Sequence, residues 1–249
     1  MHPDWLVPEW RAGGVSALMT TRRGGFSAAP FDSMNLRAGL GDDAVSVQRN
    51  RALFERVIGA TPVMLNQVHG ARVVRLHRDD AKPGAAVHEA DASVTTERGI
   101  ACAVQVADCL PVLLAAPGGV AAAHAGWRGL SAGVIEATVA ALCEARGCAP
   151  DEIEAWLGAC IGPDRFEVGA DVLHAFGASP EAAAPRFRPH TPGKWLADLP
   201  GLARDRLQGS GVRTIGGGRW CTVEDTSRFF SFRRDGVTGR MLAAVWLRG

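Results

Sequence analysis

Residues 100–129 read IACAVQVADCLPVLLAAPGGVAAAHAGWRG. A run of small and β-branched apolar residues fills 100–106 and stops at Ala107-Asp108-Cys109. The chain restarts at Pro111 as PVLLAA, turns at Gly118-Gly119, and runs again through 120–123 to His124. Short apolar runs bounded by turn residues fit buried strands. Gly126-Trp127-Arg128-Gly129 then opens a helical pattern over about 131–146. Three strands leading into a long helix form the apolar heart of a chain that mixes both element types.

On the N-terminal side, 15–21 alternates as a strand does and runs into Arg22-Arg23-Gly24-Gly25-Phe26-Ser27, a glycine turn rich in donors. The segment 43–57 carries apolar residues at helical spacing. Strands are expected at 63–68, ending at His69-Gly70, and at 72–76 and 91–95, with a polar loop at 81–90. On the C-terminal side the pattern gives a strand at 154–157, a helix at 168–176 and a Pro- and Ala-rich surface loop at about 177–194. A helix at 199–208 and a strand at 212–215 follow, then two strands within 228–246 around Asp235-Gly236, a good hairpin turn. This mixture predicts an α/β or α+β sandwich with one main sheet.

The chain has 249 residues, enough for one large domain or two small ones, with 47% hydrophobic and 21% charged residues. A formal net charge of +1 gives no basic excess for nucleic acid, and there is no acidic tail. Lysine occurs only at Lys82 and Lys194, so arginine dominates the cations. The arginine fork suits phosphate and carboxylate, although a GC-rich genome produces the same bias. MHPDWLVPEW lacks the apolar core of a signal peptide, and no apolar run approaches the ~20 residues of a membrane helix. A cytoplasmic protein is expected. The cysteines at 102, 109, 143, 148, 160 and 221 show no framework rhythm and read as thiols.

His69, Cys109 and His124 each stand at the end of an expected strand. Taken singly, each reads first as a buried histidine or thiol. Together they supply two imidazoles and a thiolate, which leaves one position open on a tetrahedral zinc, the mark of a catalytic site. No CxxC or HExxH spacing supports the set. Asp108 either orients a histidine from behind or caps a turn. Arg22 and Arg23 with their glycines, and Arg233 and Arg234 in SFRRDG (231–236), are anion cradles or solvated arginines. Asn35 and Gln67 are amides among apolar residues and line a pocket if buried. Trp127 stacks on a flat ligand or packs. The other histidines read as surface residues, and GGG at 216–218 precedes no helix, so it is a poor phosphate loop.

In combination these words are familiar. TTRRGGFS (20–27), MNL (34–36), GDD (41–43), LNQVHG (65–70), ADASVTT (90–96), ADCLPVLL (107–114), AAAHAGWRGL (121–130), IGP with RFEVG (161–169), CT (221–222) and RFFSFRRDGVTGRM (228–241) keep their order over nearly the whole chain. The chain resembles the YfiH/YlmD family of bacterial laccase-domain, polyphenol-oxidase-like proteins. It departs from the pattern at Ala159, where proline is expected, and at Phe232, where tyrosine is usual.

The resemblance implies a single domain over 1–249, a layered α/β/α sandwich around a mixed sheet. It implies zinc held by His69, Cys109 and His124, with copper as an alternative or adventitious occupant. It also implies phosphorolysis of adenosine, inosine and 5′-methylthioadenosine, accompanied by adenosine deamination. Cys109, Asp108 and Arg233 are the expected catalytic residues. Arg22, Arg23, Asn35, Gln67 and Arg234 are expected to bind substrate and phosphate. The partners are then a nucleoside and phosphate, with no nucleic acid or membrane, and the chain is a monomer or homodimer. Two alternatives stand beside this: a cysteine hydrolase or amidase that edits peptidoglycan precursors, and a copper-dependent polyphenol oxidase. A non-catalytic metal-binding module is a third.

Overall fold

The computed structural model describes residues 1–9, 11–180 and 185–249. In chain order the elements are β1 (Val15–Met19), α1 (Ala44–Ile58), β2 (Thr61–Val63), β3 (Val73–Arg75), β4 (Ala92–Thr95), β5 (Ile100–Val106), β6 (Leu110–Ala116) and β7 (Gly119–Ala125). Then come α2 (Trp127–Ser131), α3 (Val134–Arg146), β8 (Glu154–Leu157), β9 (Glu167–Val168), α4 (Ala170–Ala175), β10 (Phe187–Pro189) and β11 (Trp195–Ala197). The chain closes with α5 (Leu199–Gly209), β12 (Thr214–Gly217), α6 (Phe232–Asp235) and β13 (Met241–Leu247).

The apolar runs make strands that are buried on both faces, and their alternation sorts side chains between two layers. The strands divide between two mixed sheets, where the sequence suggested one. The first has the order β1-β13-β5-β2 and the second β12-β8-β6-β7-β4-β3, with a small β10-β11-β9 sheet beside them. Val104 and Val106 of β5 and Ala243 and Val245 of β13 face Leu113 and Ala115 of β6 and Val120 and Ala122 of β7 in a core between the sheets. The outer face of the first sheet (Ala101, Ala103, Leu242, Ala244) packs on Phe54 and Ile58 of α1. The outer face of the second (Val112, Leu114, Ala121, Ala123) packs on Ile135, Val139 and Leu142 of α3 and on Leu202 and Leu207 of α5. The result is α/β/β/α: mixed α/β as expected, with the β layer doubled.

α1 shows why these segments are helical. The Asp43 carboxylate caps it by accepting from Ser46 N at 2.9 Å, and Gly59, at φ 65°, closes it in the left-handed conformation. Fully buried Phe54 contributes roughly 1.5–3 kcal/mol of the docking.

Several segments differ from their sequence reading. The helix expected at 131–146 is α3 over Val134–Arg146; the residues that open it form a separate short helix, α2, and Gly133 at φ 92° breaks the two apart. The expected strand at 63–68 ends at Val63, because Gln67 bonds the Gln105 backbone through its amide and pulls the chain out of the ladder. Within the expected surface loop at 177–194, Phe187–Pro189 pairs antiparallel with Trp195–Ala197; residues 181–184 lie outside the described residues. Asp235-Gly236 does not turn a hairpin. Ser231 Oγ accepts from Arg234 N and caps a helical turn, α6, leaving β13 as the one strand of that region.

Candidate active site

Asp91 lies at the entry to β4 with no exposure to solvent. A carboxylate there has to be fully hydrogen-bonded. Its Oδ2 accepts from Val68 N at 3.1 Å and Gly70 N at 2.7 Å, and its Oδ1 from His69 N at 2.9 Å. Three successive amides thus wrap one carboxylate, and this nest holds His69 at φ 62°. Oδ1 also accepts from His124 Nδ1 at 2.8 Å. One buried carboxylate therefore places both histidines. Burial pushes the Asp91 carboxyl up, but the hydrogen bonds from His124 and Gly70 outweigh that and hold it below the usual carboxylate range.

Cys109 arrives from the turn between β5 and β6. Asp108, at φ 92°, makes that turn, and its buried carboxylate accepts from Thr222 Oγ1 and from Arg233 N, each at 2.6 Å. Its carbonyl accepts from Ile161 N at 2.9 Å. Asp108 so ties the turn to the C-terminal segment and bonds neither histidine ring; the carboxylate behind a histidine is Asp91.

The ligand atoms of His69, Cys109 and His124 all lie within 4.8 Å of one another. The two imidazole rings meet edge to face at 4.8 Å, and Cys109 Sγ is 4.0 Å from His69 Nε2. Zinc bonds of about 2.0 Å to nitrogen and 2.3 Å to sulfur put tetrahedral ligands roughly 3.3–3.8 Å apart, so closing on an ion needs shifts of about an ångström. Burial pushes the Cys109 thiol up, but hydrogen bonds with His124 and then His69 bring it down to about 6. Burial pushes His124 down, and its bonds to Asp91 and Cys109 raise it to about 9. The donor set suits a metal: the Cys109 thiol is held down to about 6, and Asp91 accepts a hydrogen bond from His124 Nδ1–H, which leaves His124 Nε2 toward the other two donors. Gly126 leaves the room, since a Cβ there would stand 2.9 Å from Cys109 Sγ and 3.3 Å from His69 Cδ2.

His69 and Cys109 open on a cavity of about 170 Å³ that continues into solvent. Trp127, Arg128, Phe166, Phe232 and Arg233 are among its walls. Arg233 is held by Glu167 O at 2.9 Å and lies 5.5 Å from the centre of the Phe166 ring. Arg128 lies 4.3 Å over Trp127. Phe232, where tyrosine was expected, is 57% exposed.

The remaining expected binding residues sit elsewhere. Arg22 and Arg23 line a separate cleft with Asp32, Ser33, Thr226 and Ser227. The Arg22 guanidinium is taken up by Asp32 O, Asp32 Oδ1 and Thr226 O. Arg234 forks onto Asp235 at 2.7 Å twice and also donates to Thr222, Val223 and Phe229 carbonyls. Asn35 and Gln67 are buried and spend their amides on backbone and on Asp42. These residues hold the site's surroundings rather than line its cavity. Sequence reading missed Asp91, Arg128 and Phe166. Asp91 could have been found as a lone carboxylate opening a fully buried strand.

A fold of two packed mixed sheets with a His-Cys-His group at the floor of a cleft defines an α/β protein with a possible metal site. The chain belongs to the family described as multi-copper polyphenol oxidoreductase laccase, which residues 16–248 match. It is 48% identical over 248 residues to a purine nucleoside phosphorylase of Pseudomonas aeruginosa, covering 98% of each chain. It is 47% identical over 247 residues to the purine nucleoside phosphorylase YfiH of Escherichia coli, covering 97% of this chain and 98% of that one. Among solved structures, a Neisseria meningitidis protein superposes with a TM-score of 0.90 at 44% identity, over 99% of this chain and 100% of that one. YlmD from Geobacillus stearothermophilus superposes with a TM-score of 0.88 at 33% identity, over 100% and 94%. No helix among the described residues is long and apolar enough to cross a membrane.

Proposed function

We propose that the chain is a zinc-dependent purine nucleoside phosphorylase whose reaction takes place in the cavity over His69, Cys109 and His124. The observation that carries this reading is the preorganised donor set: one buried carboxylate fixes both histidines, beside a thiol already brought down to about 6, at the floor of an aromatic- and arginine-lined cavity. His69, Cys109 and His124 would hold the ion. Bound there, zinc supplies a Lewis acid that polarises a substrate oxygen.

The chain's own groups do the rest. Trp127, Phe166 and Phe232 offer flat apolar faces to a purine. Arg128 and Arg233 bring positive charge to the walls, where phosphate has to be placed and its charge offset as it attacks. In that step a phosphate oxygen bonds to C1′ of the sugar. The C1′–N9 bond breaks with its electron pair on the base, which takes up the proton given up by hydrogen phosphate and leaves, and the sugar 1-phosphate remains. Adenosine, inosine and 5′-methylthioadenosine all carry this bond. Adenosine deamination is proposed as a side activity of the same site, and its signature is inosine formed without phosphate.

The carboxylate-backed histidine suits a metal ligand for zinc or copper alike, and zinc is the working metal of this proposal because the reaction calls for a Lewis acid and no redox step. The relatives named as purine nucleoside phosphorylases support the reaction class. The test is zinc-loaded protein with inosine, with and without inorganic phosphate, followed by chromatography. Hypoxanthine and ribose 1-phosphate are expected only with phosphate, and neither from Cys109→Ala. Base release that ignores phosphate, or no release at all, overturns the proposal.

A further inference from the structure

The arginines first expected to cradle phosphate are occupied by the protein itself, Arg22 by Asp32 and Arg234 by Asp235. A second pair, Arg37 and Arg240, is joined through one buried amide. Asn35 Oδ1 accepts from the backbone amides of both Arg37 (3.1 Å) and Arg240 (2.9 Å), and Leu36 N donates to Arg240 O at 3.2 Å. One buried amide thus brings the two arginine backbones side by side. The Arg240 guanidinium lies 5.6 Å from the centre of the Phe232 ring, which lines the cavity together with Cys109 and Asp108. Its Nη1 is anchored by the carbonyls of Thr238 at 2.9 Å and Gly239 at 3.1 Å. Both residues are half-buried, and among the described residues neither forms an ion pair with a carboxylate.

Burial, and after it the Arg37 charge, holds Arg240 below the usual arginine range, while Cys109 and Asp108 pull the other way. Arginine does not give up its proton under such pressure. Two half-buried guanidiniums with no carboxylate in ion-pair contact repel each other, and an oxyanion held between them offsets that repulsion.

We propose that Arg37 and Arg240 form the seat of an inorganic phosphate dianion at the edge of the cavity, beside the Phe232 ring. The proposal rests on the phosphorolysis reading for the use made of that phosphate, though the seat itself can be tested without turnover. A phosphate carried on a nucleoside 5′-monophosphate has the same chemistry, so both probes are needed.

Inorganic phosphate is titrated calorimetrically into the full chain and into Arg37→Ala, Arg240→Lys and Arg98→Ala, the last an exposed arginine away from the site. Arg240→Lys keeps the charge and stem and guards against misfolding, while losing the fork. Phosphate affinity is expected to fall at least about tenfold in Arg37→Ala and Arg240→Lys and to stay within about twofold in Arg98→Ala. In turnover, KM for phosphate rises by the same factor with KM for inosine little changed. Phosphate affinity unchanged in both variants overturns the seat, as does a loss produced instead by Arg23→Ala. Inosine 5′-monophosphate binding more than about tenfold tighter than phosphate, in an Arg37-dependent way, overturns its assignment to free phosphate. Phosphate bound through Arg37 and Arg240 without any phosphorolysis supports the seat and removes the proposed reaction. Phosphorolysis with unchanged phosphate KM does the reverse.

Discussion

Replacing Asp91 by asparagine keeps the shape and removes the charge. The carboxylate accepts four hydrogen bonds: Oδ2 from Val68 N and Gly70 N, Oδ1 from His69 N and His124 Nδ1. An amide has one acceptor oxygen and one donor nitrogen, so it can satisfy only one of these two sides. If its oxygen stays toward His124, the Val68 and Gly70 amides lose their acceptor. Each buried unsatisfied N–H costs about 1–3 kcal/mol, which gives roughly 2–6 kcal/mol of lost stability. If the amide turns over, its NH2 faces His124 Nδ1 and drives the imidazole proton to Nε2, the atom that must donate to a metal. Losing such a carboxylate partner weakens metal binding by about 10–100-fold. Urea unfolding of metal-free protein and zinc competition against a chelator measure the two effects. At least one should appear, and the larger the stability loss, the smaller the tautomer effect. An Asp91→Asn protein with wild-type stability and wild-type zinc affinity would refute the claim that this carboxylate positions both histidines.

The remaining expectations concern the same cluster. Gly126→Ala introduces a Cβ 2.9 Å from Cys109 Sγ at a φ of −64°, which alanine accepts, so zinc affinity should fall at least about tenfold with stability lowered by under about 2 kcal/mol; unchanged affinity, read by chelator competition, contradicts the crowding argument. In metal-free protein Cys109 is a thiolate above about pH 6, whereas burial lifts Cys102 to about 12. Iodoacetamide should therefore label Cys109 selectively at pH 7, with a rate that falls as pH drops through about 6, and zinc should protect it; labelling that falls off at the ordinary thiol range would count against the paired state. Between pH 6 and 9 Cys109 has already lost its proton while His124 retains its own, so zinc binding should release close to one proton, declining as pH rises through about 9. Calorimetry in buffers of different ionisation enthalpy reads this number, and zero release at pH 7 would contradict the His124 assignment.

Much of the fold was legible because the central strands are apolar on both faces, a pattern that neither an exposed strand nor a loop produces. That His69, Cys109 and His124 belong together was a reading of chemistry and of family words, and their convergence is visible only in the fold. What escaped were features set by side chain to backbone bonds. The strand expected before His69 ends early because Gln67 bonds Gln105 across to β5. The turn at Asp235-Gly236 is helical because Ser231 and Asp108 cap it. Asp91 escaped for a related reason, since nothing local announces that a carboxylate at a strand entry will gather three amides and a histidine from distant segments. The arginine-rich words drew attention by composition, yet their guanidiniums at Arg22 and Arg234 are consumed by neighbouring acceptors. Arg128 and Arg233 reach the cavity.

The central claim is that His69, Cys109 and His124 hold one metal with a position left open toward the cavity. X-ray absorption at the zinc edge of the reconstituted protein tests it most directly. One zinc per chain is expected, with two nitrogen ligands and one sulfur ligand from the protein and a fourth light atom that exchanges when inosine or phosphate is added. A shell of four protein ligands indifferent to substrate, or a sulfur contribution that persists in Cys109→Ala, would contradict it.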